Sequence, residues 1–225
     1  MISIAIDGPS GSGKSSISKC LAKKLGFVHV DTGALYRTIA YHLCKNNVDY
    51  SNSEKVCENL KDIDIKVKFS NNNQNVFLNG VNVTDKIRSA DISIASSRIS
   101  SMPLVRKFLL DLQKDIAKEN NVIMDGRDIA TVVLPNSEVK IFLTASPEVR
   151  AKRRYNQMVA DDPEINFSDV LKNINERDFN DTHREISPLK ISDDAVVFDN
   201  SDLTFDQTVN SILKIIKERI NFETK

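Results

Sequence analysis

Near the start of the chain, Gly8-Pro9-Ser10-Gly11-Ser12-Gly13-Lys14-Ser15 has the residue types and spacing to hold phosphate. It fits G-x-x-x-x-G-K-[ST], the P-loop pattern. Glycines at these positions let successive backbone N–H groups turn inward around an anion. A helix beginning at the end of the loop adds the positive end of its dipole. In this chemistry Lys14 reaches the β- and γ-phosphates of a nucleotide, and the Ser15 hydroxyl ligates Mg2+. A second polar group is Asp125, in Asp125-Gly126-Arg127-Asp128, where a carboxylate can hold Mg2+ through water. Arg37, Arg127, Arg177 and Arg184 complete the set. Taken singly each reads as a surface arginine. Together they read as clamps for an acceptor that is itself a phosphate, because fixed guanidinium groups offset the repulsion between two polyanions.

The flanks supply the elements such a site needs. Ile2-Ser3-Ile4-Ala5-Ile6 is short and apolar, which predicts a buried strand. After the loop, Ile17, Cys20, Leu21 and Leu25 recur at helical spacing, and Gly26 reads as the C′ stop. Further strands are predicted at 27–30, 122–124, 139–143 and 195–198. They alternate with helices, and the last helix is opened by a Thr204/Gln207 capping box. That order predicts a five-stranded parallel sheet covered on both faces. Ligands in such sheets bind at the carboxyl ends of strands, which places Thr32, Tyr36 and Arg37 beside the P-loop. A plain helix N-cap at Asp31 or Thr32, followed by a surface arginine, accounts for that segment equally well.

Between Tyr41 and about Ser100 the alternation breaks. Ile63, Ile65, Val67 and Phe69 alternate with charged residues, and Asn79-Gly80 between two apolar runs predicts an antiparallel hairpin. The polar run 70–75 reads as a long hairpin tip. Ser89 to Ser101, rich in Ser and Ala, suits close packing or a ligand-facing segment. Pro103 opens a helix whose buried face is Val105, Leu109, Leu112 and Ile116; Arg106 and Lys107 lie adjacent to that face, a place that also allows Arg106 to be merely exposed. Arg150, Lys152, Arg153 and Arg154 follow Ser146-Pro147-Glu148, a helix start, and Asp161-Asp162-Pro163 breaks the pattern before a helix through Phe167, Val170, Leu171 and Ile174. Two arginine-edged helices around a polar break predict a small helical lid. The expected organisation is core at 1–40, insert at 41–100, core at 101–149, lid at 150–166 and core at 167–225.

Composition bounds the partners. Lys plus Arg and Asp plus Glu number 31 each in 225 residues, so net charge gives no reason to expect a nucleic-acid face. Three cysteines without ligand spacing argue against a disulfide framework or zinc site. No apolar run nears a membrane span, and the expectation is a cytoplasmic protein without membrane partners.

At this point the whole chain resembles the bacterial cytidylate kinases. The resemblance runs from Ile4-Ala-Ile-Asp-Gly-Pro-Ser-Gly-Ser-Gly-Lys-Ser15 through Asp31-Thr-Gly-Ala-Leu-Tyr-Arg37, Asp125-Gly-Arg-Asp128, Glu176-Arg-Asp-Phe-Asn-Asp-Thr-His-Arg184 and Ser187-Pro-Leu189. Leu35 stands where the family often has Met, a volume-conserving change. The segment from Met158 to Pro163 is less family-like. The resemblance implies an insert that binds the nucleoside monophosphate and ATP-dependent phosphorylation of CMP, with dCMP as a further acceptor. It implies that residues Gly8, Pro9, Ser10, Gly11, Ser12, Gly13, Lys14, Ser15 and Ser16 hold ATP phosphates, with Arg153 and Arg154 closing over ATP. Arg37 and Arg127 would contact the CMP phosphate. Thr32, Arg106, Asp128 and Arg184 would surround the base, and Ser97, Arg177 and Asp181 would lie near the sugar. Lys14, Arg127, Arg177 and Arg184 form the implied catalytic set, and Ser15 with Asp125 the implied Mg2+ site. Small nucleotides and a monomeric state are the implied partners and assembly. Two other readings stay open from the residues alone: another small P-loop kinase of adenylate or shikimate type, and a non-catalytic nucleotide-binding module. A GTPase switch lacks its Asn-Lys-x-Asp segment.

Overall fold

The computed structural model describes residues 1–70, 73–160 and 163–220. In chain order its elements begin with β1 (Ser3–Asp7), α1 (Lys14–Leu25), β2 (Val28–Asp31), α2 (Thr32–Lys45), α3 (Ser53–Leu60), β3 (Ile65–Ser70), β4 (Asn73–Leu78) and β5 (Val81–Asn82). There follow α4 (Ala90–Ile99), α5 (Pro103–Glu119), β6 (Val122–Gly126), a π-turn at Ile129–Val133, β7 (Val139–Thr144), α6 (Pro147–Met158), α7 (Phe167–His183), β8 (Val196–Asp199) and α8 (Phe205–Ile220).

Five strands form one parallel sheet in the order β2-β6-β1-β7-β8. Successive side chains of a strand point to opposite faces, so β1 supplies both layers. Ile4 and Ile6 join Ile17 and Leu21 of α1 and Ile212 and Ile216 of α8. Ala5 joins Met124 of β6 with Ile116 and Ala117 of α5. Register sets the strand ends level: Ile6 lies opposite Asp125, and Asp125 opposite Asp31. The loops after β1, β2 and β6 therefore open at one edge, where ligand crevices form in such sheets.

The insert is a small antiparallel sheet, β3-β4-β5, with α3 and α4. Asn79 and Gly80 both take positive φ, 48° and 80°, the geometry of a tight hairpin turn whose twist matches its strands. The polar run 70–75 does not form a long tip. Ser70 pairs with Asn73 and Lys68 with Asn75, so the strands extend into the run, whose residues 71 and 72 lie outside the described residues. An antiparallel sheet with one wet face accepts polar residues there. The half-buried Gln74 is held because its side-chain amide meets both backbone groups of Asp31: Oε1 accepts from the N–H at 2.7 Å and Nε2 donates to the carbonyl at 3.3 Å. Leu35, Ile39 and Leu43 of α2 share one core with Val56, Leu60, Val76, Leu78, Ile92 and Ile99 of the insert and Leu109 of α5. The α6–α7 pair closes over a small cluster of Ala151, Val170 and Ile174. The polar break at Asp161 and Asp162 lies outside the described residues. Among those residues no helix is long and apolar enough to cross a membrane.

Candidate active site

The loop between β1 and α1 is compressed against the sheet. Gly8 has φ of +150°, and a Cβ there would stand 2.0 Å from the Leu143 carbonyl oxygen, so only glycine fits. Gly13 is the N-cap of α1 and offers no side-chain acceptor. Among the described residues no acceptor meets the backbone N–H groups of Gly11, Ser12, Gly13, Lys14 or Ser15. Lys14 is buried, and its ammonium donates to the Pro9 carbonyl at 2.7 Å and reaches the Ser12 hydroxyl at 3.4 Å. Burial first, then the charge of Arg127, pushes its pKa well below the ordinary lysine value. Ser16 lies exposed one residue further along α1.

Asp125 ends β6 within reach of this loop. Ser15 donates its hydroxyl to Oδ2 at 2.7 Å, and the His29 ring meets Oδ1 at 2.6 Å. Thr32 donates to the Asp125 backbone carbonyl at 2.8 Å. Burial alone raises the carboxyl; the His29 ring, the Ser15 hydroxyl and the charge of Lys14 outweigh it and hold its pKa below the usual value.

The charges of Arg127 and Arg177 reach Lys14. Asp31 caps α2 through the Ala34 N–H at 3.1 Å, as one of the two sequence readings has it, and also accepts from Arg37 Nη2 at 2.7 Å. Arg127 Nε donates to Asp181 Oδ2 at 2.6 Å. Burial pulls Arg127 down, but the adjacent carboxylate of Asp181 outweighs it and raises its pKa. Asp181 itself is lowered, the charge of Arg127 outweighing burial. Arg177 is lowered to about 10 by burial and then by the positive charge of Arg127. The Nε atoms of Arg37 and Arg177 and the Nη2 of Arg184 are buried without a hydrogen-bond partner. Buried donors in that condition are costly.

Arg106 is not exposed. At 9% exposure it pairs with Asp128, donates to the Ser100 carbonyl at 3.0 Å and lies over the Tyr36 ring at 5.7 Å. Asp128 also faces Arg184 Nη2 at 3.8 Å, while Arg184 Nε donates to the Ser187 carbonyl at 2.6 Å. Burial, then the neighbouring Arg106 charge, lowers Arg184. Ser97 is half-buried on α4, its carbonyl taken by the Ser100 hydroxyl at 2.8 Å. Arg153 on α6 donates to the Ser12 carbonyl at 3.4 Å and twice to Asn200, at 3.0 and 2.9 Å; Arg154 stands exposed beside it.

Several of these partners escaped the sequence reading. Asp7 accepts the N–H groups of Ile129 and Ala130 at 2.9 and 2.7 Å and so holds the loop that carries Arg127 and Asp128. His29, Arg150, Asp178 and Asn200 are the others. One signal was present for Arg150: it shares a helix face with Arg153 and Arg154 at i, i+3 and i+4.

Comparison with known proteins gives the family. The family model described as cytidylate kinase covers residues 4–218. A cytidylate kinase from Caldicellulosiruptor saccharolyticus is 45% identical over 99% of this chain and 98% of that protein. One from Fusobacterium nucleatum is 44% identical over 96% of this chain and 98% of that protein. The crystal structure of an uncharacterized protein from Eubacterium ventriosum ATCC 27560 covers 97% of this chain and all of its own, with a TM-score of 0.55; at 14% identity it speaks to the fold alone. Nearly every residue of the chain lies within the matched family model, and the chain belongs to the cytidylate kinase family.

Proposed function

We propose that this protein transfers the γ-phosphoryl group of ATP to CMP, and to dCMP, giving ADP and the corresponding diphosphate. One observation carries the reading: the buried Nε atoms of Arg37 and Arg177 have no hydrogen-bond partner, and the charge of Arg177 reaches Lys14 at the end of the P-loop. The charge of Arg127 lowers the pKa of both Lys14 and Arg177, and the charge of Arg177 lowers Lys14 further, so the three share one field. Anions on both sides of Lys14 relieve that repulsion.

Residues 8–16 cradle the donor phosphates, the N–H groups of Gly11, Gly13, Lys14 and Ser15 among them, and Arg153 and Arg154 close over ATP. Arg37 and Arg127 hold the acceptor phosphate; Arg106, Asp128, Arg184 and Thr32 surround the base, and Ser97, Arg177 and Asp181 lie at the sugar. An acceptor phosphate oxygen attacks the γ-phosphorus in line, forming one O–P bond as the bond to the ADP oxygen breaks. That oxygen is already anionic near neutral pH, the second pKa of such a phosphate being about 6, so no general base is needed. Lys14, Arg127, Arg177 and Arg184 act by positioning and by stabilising charge that spreads over the transferring group.

The Ser15 hydroxyl and the Asp125 carboxylate are an oxygen pair that fits Mg2+. Among the described residues no cluster of three acidic, histidine or cysteine side chains offers a fuller cage, as suits an ion that keeps waters and nucleotide phosphates as its other ligands. When bound, the ion neutralises phosphate charge.

Phosphorus NMR of ATP mixed with CMP and catalytic protein tests the reaction. CDP and ADP resonances growing together support it. ADP and free phosphate without CDP contradict it.

A further inference from the structure

The P-loop is braced from behind by α6. Arg150 is 3% exposed, and all three arms of its guanidinium are used. Its Nε donates to the Ala145 carbonyl at 2.8 Å, Nη1 to the Ser10 carbonyl at 3.0 Å, and Nη2 meets Asp178 Oδ2 on α7 at 2.6 Å. The helix backs directly onto the loop, since a Cβ on Gly11 would sit 3.1 Å from the Arg150 Cβ. A second brace stands beside it. Asn200, buried at the end of β8, donates Nδ2 to the Ser12 carbonyl at 3.1 Å and is itself fixed by two donations from Arg153.

A peptide unit is planar, and in the trans form its C=O and the following N–H point in opposite directions. Among the described residues no peptide bond is cis. Tying the Ser10 carbonyl to Arg150 therefore turns the Gly11 N–H away from α6, and tying the Ser12 carbonyl to Asn200 does the same for Gly13. These are two of the N–H groups without an acceptor. A cation on the carbonyl also polarises the amide, which makes its N–H a stronger donor.

We propose that Arg150, anchored by Asp178, is a positioning residue that aims the Gly11 N–H at the donor phosphates, with Asn200 and Arg153 performing the same task for Gly13. Arg150 touches no substrate; it acts through the Ser10–Gly11 peptide. The proposal rests on the reading of the loop as the ATP site.

The test uses Arg150→Lys, which keeps the charge but loses the three-armed fork, and Asp178→Asn, which frees the fork and leaves Arg150 in place. ADP with Mg2+ and CMP are titrated separately into wild type and both variants by calorimetry. Amide 1H–15N shifts of Gly11 and Gly13 are recorded with and without ADP. The expected result is ADP binding weakened by about tenfold in Arg150→Lys and somewhat less in Asp178→Asn, the scale of one lost charge-assisted hydrogen bond. CMP binding stays within about twofold, and the ADP-induced shift of the Gly11 amide shrinks in both variants. CMP binding in the same samples certifies a folded site, and Asp178→Asn carries the test alone if Arg150→Lys does not fold. Equal weakening of ADP and CMP, or an unchanged Gly11 shift, overturns the brace. Failure of wild type to bind ADP while binding CMP overturns the donor assignment beneath it.

Discussion

Arg106 and Asp128 meet as a buried ion pair, 22 residues apart in sequence and both under a tenth exposed. They come from different elements, the first turn of α5 and the loop after β6, so the pair fixes where those elements stand. Cytosine offers an amino donor at N4 beside an acceptor at N3; uracil reverses both. A guanidinium beside a carboxylate matches the first pattern and mismatches the second. Arg106→Ala is expected to erase most of the preference for CMP over UMP, because a pocket of buried polar groups discriminates by leaving mismatched groups unpaired. Steady-state kcat/KM for both acceptors, in wild type and variant, checks it. A preference kept in the variant removes Arg106 as the reader of the base.

Lys14 is held by the Pro9 carbonyl at 2.7 Å, and the charges of Arg127 and Arg177 reach it. Its charge counts most when charge spreads over the transferring group. Lys14→Ala is expected to lower kcat by at least ~10²-fold, the scale of losing one preorganised donor to an oxyanion. A folded variant with wild-type kcat would contradict the assignment.

Asp7 gives a pH signature in stability. It is 2% exposed, and burial pushes its carboxyl up to about 6; the two N–H groups from the π-turn pull the other way, and the nearby Asp128 charge adds to the rise. The folded protein thus favours protonated Asp7. That contribution is fully present below the unfolded value of 3.8 and is lost as pH rises through about 6. A shift of about two units corresponds to about 3 kcal/mol. Urea unfolding of wild type and Asp7→Asn across this range isolates the term. The wild-type advantage over the variant is expected to shrink from about pH 4 to about pH 7 and then level off. A difference independent of pH counts against a raised Asp7.

The P-loop was legible because phosphate chemistry dictates adjacent residues, and the strands and helices around it because each carries its own period. The acceptor side was legible in part. Arg37, Arg127, Arg177 and Arg184 stand out once strand ends are located, but periodicity left the burial of Arg106 open, since the carboxylate that it pairs with lies on another element. The supports were the least legible. Arg150 meets Ser10 across 140 residues and Asn200 meets Ser12 across 188, and no local pattern encodes such pairs. His29 sits in an apolar strand, where only the register opposite Asp125's strand reveals its partner. The 70–75 run reads as a tip because its residues are polar, yet Ser70, Asn73, Gln74 and Asn75 are taken up by strand pairing, and Gln74 also by Asp31.

The most direct measurement is ATP-dependent kcat/KM across CMP, dCMP, UMP, AMP and shikimate. The account predicts CMP ahead of UMP and AMP by at least ~10²-fold, with dCMP used and no turnover of shikimate. AMP used as well as CMP would contradict it.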